Sequence, residues 1–465
     1  MAEPLWTSDE IVAATGGIPA GAPFSATGVS IDTRTLEPGD LFVALAGVRD
    51  GHEFVPAALA SRAAGALVSR PSEGATIVVA DTLQALEKLG QAARVRAPRV
   101  RRGAVTGSVG KTSVTQAIRA ALDRAGRAHG SVKSYNNHIG VPLTLARMPR
   151  ETERAIFEIG MNHANEITPL VRMVRPEAVV ITTVGHAHIE NFADGEAGVA
   201  RAKAEIFDGV PPGGLAVLNA DNVWFEFLKG EAEARGVKVL AFGNDESCAA
   251  QLVDFHLDGE GARVDARLHG VAISFRVRQN GAHWGLMSLA ALLMAEALDV
   301  PRQAALEALA TLAPLEGRGA EHTVRIAHGD FTLVDESYNA NPLSVAAALR
   351  TLGLRKVANR RIAVLTDMLE LGEASVAYHT GLAPEIEAAR VDLVFCAGPK
   401  MKSLWDVLPA TRRGGYAKTA EALAPSLTRA IEPGDLVMVK GSRDSRAKAL
   451  FEVLAGLDSH SGEAP

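Results

Sequence analysis

Short apolar runs and amphipathic helical segments alternate along most of the chain. After residue 103 the apolar runs fall at residues 104–106, 155–159, 178–184, 215–218 and 237–242. Apolar strands that alternate with helices predict a mostly parallel sheet with helices on both faces, because such strands are buried on both sides. Residues 250–279 are typical of further strands, and residues 283–298 predict a helix.

A second alternation begins near Glu316. Its predicted strands are residues 331–335, 361–366, 393–396 and 436–440, and helical patterns separate them. Strands and helices in this order predict a separate C-terminal doubly wound domain of the Rossmann-like type. In such sheets ligands bind where the strands end, so residues that follow these strands are candidates for a site.

The first part of the chain predicts a small α/β domain. Thr7 and Glu10 form a capping-box pattern that predicts the start of a helix. Short strands are predicted at residues 40–45, 65–68 and 76–79. The basic segment, residues 94–102, has Pro98 in its middle and is typical of a solvated linker. We therefore expect three domains, at residues 1–97, 98–314 and 315–465.

Composition narrows the functional classes. The chain has 465 residues, 47% of them hydrophobic and 22% charged, as in ordinary globular proteins. Its formal net charge of −6 gives no overall attraction to nucleic acid. The two cysteines lack metal-site spacing, which favours a reducing compartment. The start of the chain has no signal-peptide pattern, and no apolar run approaches the roughly 18–20 residues of a membrane span. We expect a cytoplasmic protein without membrane insertion.

A glycine-rich loop after the strand at residues 104–106 carries the clearest chemistry. It reads Gly107-Ser108-Val109-Gly110-Lys111-Thr112-Ser113 and precedes a helical segment. Glycines let backbone N–H groups turn toward a phosphate, and the helix N-terminus adds partial positive charge. Lys111 can reach the phosphates of ATP, and the Thr112 hydroxyl can ligate Mg²⁺. Val105 stands where the longer Walker pattern has another glycine, so this is a shorter variant of the loop.

Other candidate residues lie near predicted strand ends. Glu158 ends an apolar strand, where it serves either a metal or a salt bridge. His186 and His188 follow the strand at residues 178–184, where an imidazole either binds a ligand or has a structural role. Lys203 lies in a helical segment, and its composition alone predicts an ordinary surface lysine.

Together these motifs resemble the Mur ligase family. The resemblance rests on residues 106–113, 135–142, 158–160, 202–207 and 335–342, and it extends from Asp32 to Arg443. It implies a UDP-sugar domain, a central ATP-binding domain and a mobile C-terminal domain. Residues 337–342 and 367–372 resemble the branch that adds D-alanyl-D-alanine to UDP-N-acetylmuramoyl-tripeptide through an acyl phosphate, in peptidoglycan precursor synthesis. The resemblance implies these two substrates as partners, and we expect a monomer.

The resemblance also implies roles for individual residues. Catalysis would rest on Lys111, Glu158, His188, Lys203 and Arg318. Two Mg²⁺ ions would be held by Thr112, Glu158, His188 and a carbamylated Lys203. ATP would contact the glycine-rich loop together with His283, Trp284, Arg318, Asp335 and Glu336. The UDP-sugar would be bound by Thr33, Arg34, Phe42, Ala44, Gly51, His52, Asn136, Asn137 and Gly140. We further hypothesise that Asn339, Asn341 and Asp367 line the dipeptide side.

The chain departs from the family pattern at the adenine end of the site. Residues 283–287 read His-Trp-Gly-Leu-Met, where the family commonly has His-Asn-x-x-Asn. We therefore predict that Trp284 stacks on adenine in place of the missing amides. Glu336 replaces the commoner second aspartate after Asp335, and a longer carboxylate still reaches the ribose or a phosphate.

Three alternatives stay open on the sequence. Two are enzymes, namely a sister ligase that adds a single amino acid and a ligase like folylpolyglutamate synthase. The third is a catalytically silent ATP-binding module. The stretch at residues 337–342 argues against the first two, and the presence of Lys111, Glu158, His188 and Lys203 argues against the third. The sequence leaves lysine or diaminopimelate open as the third residue of the tripeptide.

Overall fold

The structure is a computed structural model that describes residues 4–47, 49–132, 134–186, 188–258 and 261–460. Its N-terminal part contains β1 (Trp6–Thr7), α1 (Ser8–Thr15), β2 (Ile18–Ala20), β3 (Ser25–Ala26), β4 (Gly28–Ser30), β5 (Asp40–Val43), α2 (Val55–Ala60), β6 (Gly65–Val68), β7 (Thr76–Val78) and α3 (Thr82–Arg96). The main sheet here has the order β2-β7-β6-β5-β4 and is parallel except for β2. The predicted capping box at Thr7 and Glu10 is present and begins α1.

The central part is built on one long sheet. Its elements are β8 (Arg101–Thr106), α4 (Lys111–Ala125), β9 (Ala128–Gly130), α5 (Gly140–Ala146), β10 (Arg154–Glu158), α6 (Ile167–Val174), β11 (Ala178–Ile181), α7 (Glu196–Ala204), β12 (Leu215–Asn219), α8 (Phe225–Glu233), β13 (Lys238–Gly243), β14 (Ala250–Leu257), β15 (Ala262–Leu268), β16 (Val271–Val277), α9 (Trp284–Ala297) and α10 (Arg302–Thr311). The order is β16-β15-β14-β13-β12-β11-β8-β10-β9, parallel up to β14 and antiparallel beyond it. Apolar cores lie on both faces, which confirms the predicted architecture.

The C-terminal part is a second doubly wound sheet. It contains β17 (Ala320–Ile326), β18 (Gly329–Glu336), α11 (Pro342–Leu354), β19 (Arg361–Thr366), α12 (Ser375–Thr380), α13 (Ala383–Ala388), β20 (Leu393–Ala397), α14 (Met401–Val407), β21 (Arg413–Ala417), α15 (Ala420–Ala430), β22 (Leu436–Lys440) and α16 (Ala447–Ala455). The order is β17-β18-β22-β19-β20-β21, and β17 runs antiparallel to β18. The sequence pattern did not predict β17, because its exposed polar residues give no apolar run.

The N-terminal and central parts share a core. Leu143 and Ala146 of α5 pack with the apolar residues of the N-terminal sheet, and Trp6 Nε1 donates to Ala146 O at 2.8 Å. The domain limits at residues 97/98 and 314/315 therefore stay predictions, since α5 belongs to both units by packing. Within the described ranges, no helix combines the length and apolar composition needed to cross a bilayer.

Candidate active site

The glycine-rich loop has the backbone conformation that a phosphate cradle needs. Gly107 has φ of +149° and Gly110 has φ of +84°, and α4 begins immediately afterwards at Lys111. A Cβ atom at Gly107 would lie 1.9 Å from Thr182 Oγ1, so a side chain is excluded there. The loop thus requires glycine for both torsion and space, and it presents the N-terminus of a helix to the cavity described below.

The segment that follows β11 braces this loop from one side. Ser108 N donates to Thr183 O at 2.8 Å, and Ser108 Oγ lies 3.0 Å from both N and O of Gly185. Thr182 Oγ1 donates to Val109 O at 2.5 Å. These bonds hold the loop in place before any ligand arrives, so phosphate binding needs little rearrangement of the backbone.

A cavity of about 550 Å³ opens between the glycine-rich loop and the C-terminal part. The central part contributes the loop after β8 and the residues after β10 and β11, at the carboxyl ends of the strands. The C-terminal part contributes residues after β18 and β22. This is the edge of a parallel sheet at which ligands bind in doubly wound folds. The predicted residues in its lining are Ser108, Val109, Gly110, Lys111, Thr112, Ser113, Asn136, Asn137, Glu158, His188, His283, Arg318, Glu336, Asn339 and Asn341.

Lys111 lies at the centre of this cavity. Its Nζ donates to Gly107 O at 2.6 Å. The enclosing protein lowers the pKa of the ammonium group, and Arg318 lowers it further, whereas Glu158 opposes the shift. A phosphate would compensate this concentration of positive charge, because it brings negative charge to a place with little water.

Glu158 is a buried carboxylate with one oxygen satisfied. Glu158 is 1% exposed, and its Oε1 accepts a hydrogen bond from Asn136 Nδ2 at 2.6 Å. Oε2 is buried and makes no hydrogen bond. Burying an unsatisfied carboxylate oxygen costs free energy unless a cation compensates it. Together with the Thr112 hydroxyl in the same cavity lining, this oxygen fits a hard, oxygen-binding cation such as Mg²⁺.

The two histidines have different surroundings. His188 lines the cavity in a left-handed conformation, with φ of +58°, and its Nδ1 lies 2.5 Å from Glu370 Oε2 of the C-terminal part. Burial lowers the pKa of His188, and Glu370 opposes that shift. His186 instead packs its ring 4.8 Å from the Tyr378 ring and lies 3.3 Å from Glu196 Oε1. In the described ranges, no group of three or more His, Cys, Asp or Glu side chains forms a ready-made metal site.

Lys203 corrects the expectation of a surface lysine. The residue is 2% exposed, and no residue in the described ranges pairs with its amine. Burial lowers its pKa well below the usual range, and the nearby Lys111 charge lowers it further. Lys203 therefore lies on the buried side of helix α7, and the composition of the helix alone did not predict this.

Arg318 carries positive charge from the C-terminal part to the glycine-rich loop. Its Nη2 donates to Thr112 Oγ1 at 3.0 Å, and its guanidinium lies 4.1 Å from the Tyr338 ring centre. Glu336 lines the cavity and accepts from Lys440 Nζ at 3.1 Å. Arg318 and Glu336 thus both line the cavity, and their contact with a nucleotide stays a prediction.

Asp335 has a different role from the predicted contact with ATP. Its Oδ1 accepts from Ser337 N at 3.0 Å and from Ser337 Oγ at 2.5 Å, and its Oδ2 accepts from Gly317 N at 2.8 Å. The residue is 3% exposed and lies outside the cavity lining. Asp335 thus shapes the two loops that carry Arg318 and Tyr338, and its contact with ATP stays a prediction.

Trp284 also requires a correction. It is 4% exposed and packs in the apolar core beneath the central sheet, outside the cavity lining. Its neighbours His283 and Met287 line the cavity instead. At the start of α9, the position after His283 faces the core, so the large apolar side chain of Trp284 is buried. Stacking of Trp284 on adenine is therefore not possible in this arrangement.

The structure brings two of the three residues of the predicted dipeptide side to the cavity. Asn339 and Asn341 line the cavity, and Asn341 Oδ1 accepts from Ser344 N at 2.9 Å as the cap of α11. Asp367 does not line it. Its carboxylate accepts from Met401 N at 2.8 Å and from Lys400 N at 3.3 Å, so it stabilises the start of α14. The assignment of Asp367 to the dipeptide side stays a prediction.

Residues predicted to bind the UDP-sugar divide into two sets. Asn136 and Asn137 line the cavity, and Asn137 Oδ1 accepts from Gly140 N at 2.9 Å at the start of α5. Phe42 and Ala44 are 2% and 0% exposed, and both side chains pack in the N-terminal core. A contact of these two residues with a sugar nucleotide would therefore involve their backbone, and it stays a prediction.

The other predicted UDP-sugar residues lie on the N-terminal part, outside this cavity lining. His52 is buried, accepts at Nε2 from Ser69 N at 2.8 Å, and therefore carries its proton on Nδ1, 2.7 Å from Asp50 Oδ1. Gly51 has no room for a side chain, since a Cβ would lie 2.6 Å from Leu45 O. Both residues shape the loop after β5.

Arg34 and Thr33 remain available at the surface. Arg34 is exposed and its guanidinium lies against the Asp32 carboxylate, with Nε 3.0 Å from Oδ1. These hydrogen bonds lower the pKa of Asp32 to about 2. Thr33 is partly exposed beside them.

Sequence reasoning assigned no role to several other lining residues. The cavity also contains Ser134, Tyr338, Lys440 and Arg443. Lys440 and Arg443 follow the apolar strand β22, and that placement of basic residues at a strand end was a usable signal. Tyr338 lies within the motif at residues 337–342, which was also a usable signal, whereas Ser134 lies in a loop for which the sequence gave none.

The substitution Gly107→Ala tests the loop geometry. We expect it to weaken ADP binding at least about tenfold, or ~1.4 kcal/mol, because the Cβ atom collides with Thr182 and displaces the loop. Titration calorimetry on the full chain measures the affinity. Gly230→Ala is the matched control, because its Cβ meets nothing within 4 Å in helix α8 and it should leave ADP affinity unchanged. Equal ADP affinity in both variants would contradict the assignment of the loop.

Comparison with known proteins agrees with this arrangement. The chain matches the family models for the Mur ligase middle domain at residues 105–295 and the Mur ligase, glutamate ligase domain at residues 322–443. It is 34% identical to the UDP-N-acetylmuramoyl-tripeptide–D-alanyl-D-alanine ligase of Escherichia coli (strain K12), over 95% of each chain. The ligase of the same name from Bacillus subtilis (strain 168) is 30% identical over 92% of this chain and 93% of the relative.

A solved structure supports the same relationship. A crystal structure of MurF from Acinetobacter baumannii superposes with a TM-score of 0.84 at 27% identity and covers 97% of this chain and 99% of that one. The family models cover the phosphate loop and most of the C-terminal side of the cavity, and the relatives span nearly the whole chain. The chain therefore belongs to the Mur ligase family.

Proposed function

We propose that this protein is an ATP-dependent ligase that joins D-alanyl-D-alanine to UDP-N-acetylmuramoyl-tripeptide in peptidoglycan precursor synthesis. The observation that carries the proposal is the cavity in which the phosphate loop meets Arg318 of the C-terminal part through Thr112. The curated relatives that match along the whole chain are ligases with this name. We also predict a monomer in the cytoplasm.

The chemistry explains why such a site needs ATP. A carboxylate cannot be displaced directly by an amine, because the leaving group would be oxide. In the proposed reaction a carboxylate oxygen of the tripeptide attacks the γ-phosphorus of ATP, and ADP leaves. The dipeptide amine then attacks the acyl carbon of the acyl phosphate and loses a proton, and inorganic phosphate leaves as the amide bond forms.

The residues of this chain supply charge and position. Lys111 and Arg318 approach the transferring phosphoryl group from opposite parts of the cavity and stabilise its negative charge. Thr112 and Glu158 would hold one Mg²⁺, and His188 with a carbamylated Lys203 would hold a second. When bound, Mg²⁺ orients the phosphate oxygens and acts as a Lewis acid. The C-terminal part excludes water that would hydrolyse the acyl phosphate.

The carbamate on Lys203 has support in the surroundings of its amine. A buried lysine without a carboxylate partner favours the neutral form, and a neutral amine adds CO₂ to give an anionic oxygen ligand with loss of a proton. That charge would compensate the neighbouring Lys111 as well as bind a hard cation. Glu370 contacts Nδ1 of His188, which leaves Nε2 as the ring nitrogen that could bind a metal.

Phosphate release is the direct test of the acceptor. With ATP and UDP-N-acetylmuramoyl-tripeptide, we expect phosphate to appear at a steady rate only when D-alanyl-D-alanine is added. D-glutamate and meso-diaminopimelate serve as alternative acceptors, and Lys111→Met serves as the inactive control. The lysine and diaminopimelate tripeptides are compared in parallel, which settles the third residue.

Equal phosphate release with D-glutamate or diaminopimelate as the only acceptor would favour a ligase that adds a single amino acid. Binding of ATP without phosphate release under any of these conditions would favour the silent ATP-binding module. Each result contradicts the proposed reaction in a different way, so the three functions are separable in one assay.

The substitution Asn341→Ser tests the dipeptide side while keeping the helix cap. Serine retains an oxygen for Ser344 N but removes the amide, whose Nδ2 has no partner in the described ranges. We expect the KM for the dipeptide to rise about tenfold, with the KM for the tripeptide and the melting temperature unchanged. Asn341→Ala, which also loses the cap, should show the same KM effect and lose about 1 kcal/mol of stability. Unchanged dipeptide kinetics in both variants would exclude Asn341 from this role.

A carbamate on Lys203 is testable by spectroscopy. With ¹³C-labelled bicarbonate we expect a carbamate carbon resonance from the full protein that is missing in Lys203→Met and present in the exposed control Lys238→Met. Removal of CO₂ should lower activity reversibly in the wild type. If the resonance is absent and CO₂ removal has no effect, Lys203 acts as an amine.

A further inference from the structure

A second cleft lies on the opposite edge of the central sheet. It has a volume of about 360 Å³, and its charged lining consists of Arg94, Arg102, Arg175 and Glu177. Arg94 lies in the last turn of α3 and begins the basic segment, residues 94–102, which the proposed reaction does not use. The cleft therefore contains two arginines of a basic segment that the active site leaves unexplained.

The position of the cleft separates it from the active site. Arg102 is the second residue of β8, and Arg175 and Glu177 directly precede β11, so all three lie at the amino ends of neighbouring parallel strands. Thr106, at the carboxyl end of β8, is four residues further along the strand. At roughly 3.3 Å per residue, this distance is about 13 Å. The two sites thus occupy opposite edges of the same sheet.

The charges in the cleft are unbalanced. Three arginines and one glutamate give 3 − 1 = +2 for the charged lining. Glu177 is also shared with an arginine next to the cleft, since its Oε2 lies 2.8 Å from Arg101 Nε. Within the described ranges, the guanidinium groups of Arg94 and Arg175 make neither a hydrogen bond nor an ion pair, and Arg94 Nε is buried without a partner.

Arg102 is fixed in this environment by the backbone. Its Nη1 donates to Val100 O at 2.9 Å and its Nε donates to Val174 O at 3.1 Å, at the end of α6. This contact holds the guanidinium rigidly but leaves its charge without a full counter-charge. Burial and the neighbouring Arg94 and Arg175 lower the pKa of Arg102, while Glu177 opposes the shift. Because arginine stays protonated in proteins, the repulsion is not relieved by loss of a proton.

We propose that this cleft binds an oxyanion of the diphosphate type, either pyrophosphate itself or the diphosphate group of a nucleotide. Guanidinium groups match phosphate oxygens in pairs, and several of them favour a multiply charged ligand over a single carboxylate. Water occupies about 30 Å³ per molecule, so the cleft has room for about ten waters and therefore for two linked phosphoryl groups. The proposal does not depend on the proposed ligase reaction.

Binding at this position has a structural consequence. Arg94 belongs to helix α3 of the N-terminal part, whereas Arg102 and Arg175 belong to the central sheet. One anion bound by all three would connect the two parts through charge–charge attraction at the segment between them. Occupancy of the cleft should therefore reduce opening of the chain around residues 94–102.

Hydrogen–deuterium exchange on the full-length chain provides the test, because it reports the two edges of the sheet separately. Pyrophosphate is added without divalent cations and at constant ionic strength. We expect slower exchange in peptides covering residues 92–102 and 172–178, in addition to any effect at residues 106–113. Arg94→Gln and Arg175→Gln should each raise about tenfold the pyrophosphate concentration that is needed to protect the cleft peptides. Both variants should leave exchange at residues 106–113 unaffected.

Arg99→Gln is the matched control, because Arg99 is exposed in the same basic segment and lies outside the cleft lining. It should keep the protection. Protection confined to residues 106–113 in the wild type, or equal protection at the cleft in Arg94→Gln and Arg175→Gln, would overturn the proposal.

Thermal unfolding separates ligand binding from a structural role of the arginines. Without ligand, Arg94→Gln should unfold at or above the wild-type temperature, because it removes repulsion. Loss of binding accompanied by a lower unfolding temperature would assign these arginines to folding and overturn the proposal. Parallel titrations with ADP identify the source of the diphosphate. Cleft protection by pyrophosphate alone supports the free anion, and protection by both supports a nucleotide.

Discussion

Charge that is held away from water dominates the carboxyl edge of the central sheet. Lys111 and Arg318 bring positive charge there, burial disfavours the charged form of Lys203, and Glu158 contributes a carboxylate with one unsatisfied oxygen. None of these groups is favourable in a low-dielectric environment without compensation. A ligand that carries both negative and positive charge would compensate all of these groups. A nucleoside triphosphate with bound Mg²⁺ has that property. The polar loops around the site are arranged to tolerate this imbalance until the ligand binds.

The C-terminal part contributes to this concentration of charge, although its residues lie far along the chain from the phosphate loop. Buried Asp335 holds the backbone N–H groups of Gly317 and Ser337, and these loops present Arg318 and Tyr338 to the phosphate loop. A carboxylate thus contributes by fixing loop geometry. The contact of His188 with Glu370 similarly joins the two parts across the cavity. Movement of the C-terminal part would therefore change both the charge at Thr112 and the surroundings of His188.

The sequence predicted what periodicity and local motifs determine. The parallel sheet, the phosphate loop and the placement of Glu158 at a strand end all follow from apolar runs and the residues that end them. The burial of Lys203 could not be predicted this way, because α7 has no strong separation of polar and apolar faces. The surroundings of Trp284 and Asp367 were not predicted, for a related reason. Their motif positions border the site, but packing directs one side chain into the core and uses the other to stabilise a helix.

Positive charge is concentrated at both edges of the central sheet, and the two edges differ in how they could hold an anion. At the carboxyl edge, glycine torsions and a helix N-terminus make room for phosphate among Lys111 and Arg318. At the amino edge, the direction of the strands provides no comparable cradle of backbone N–H groups. An anion bound there would therefore depend on side chains alone. Arginine suits that task, because its planar donors keep their geometry and their charge when they are partly buried. The position of Arg102 against the end of α6 shows how a guanidinium can satisfy helix carbonyls and still leave charge for a ligand, since carbonyl oxygens carry only partial negative charge.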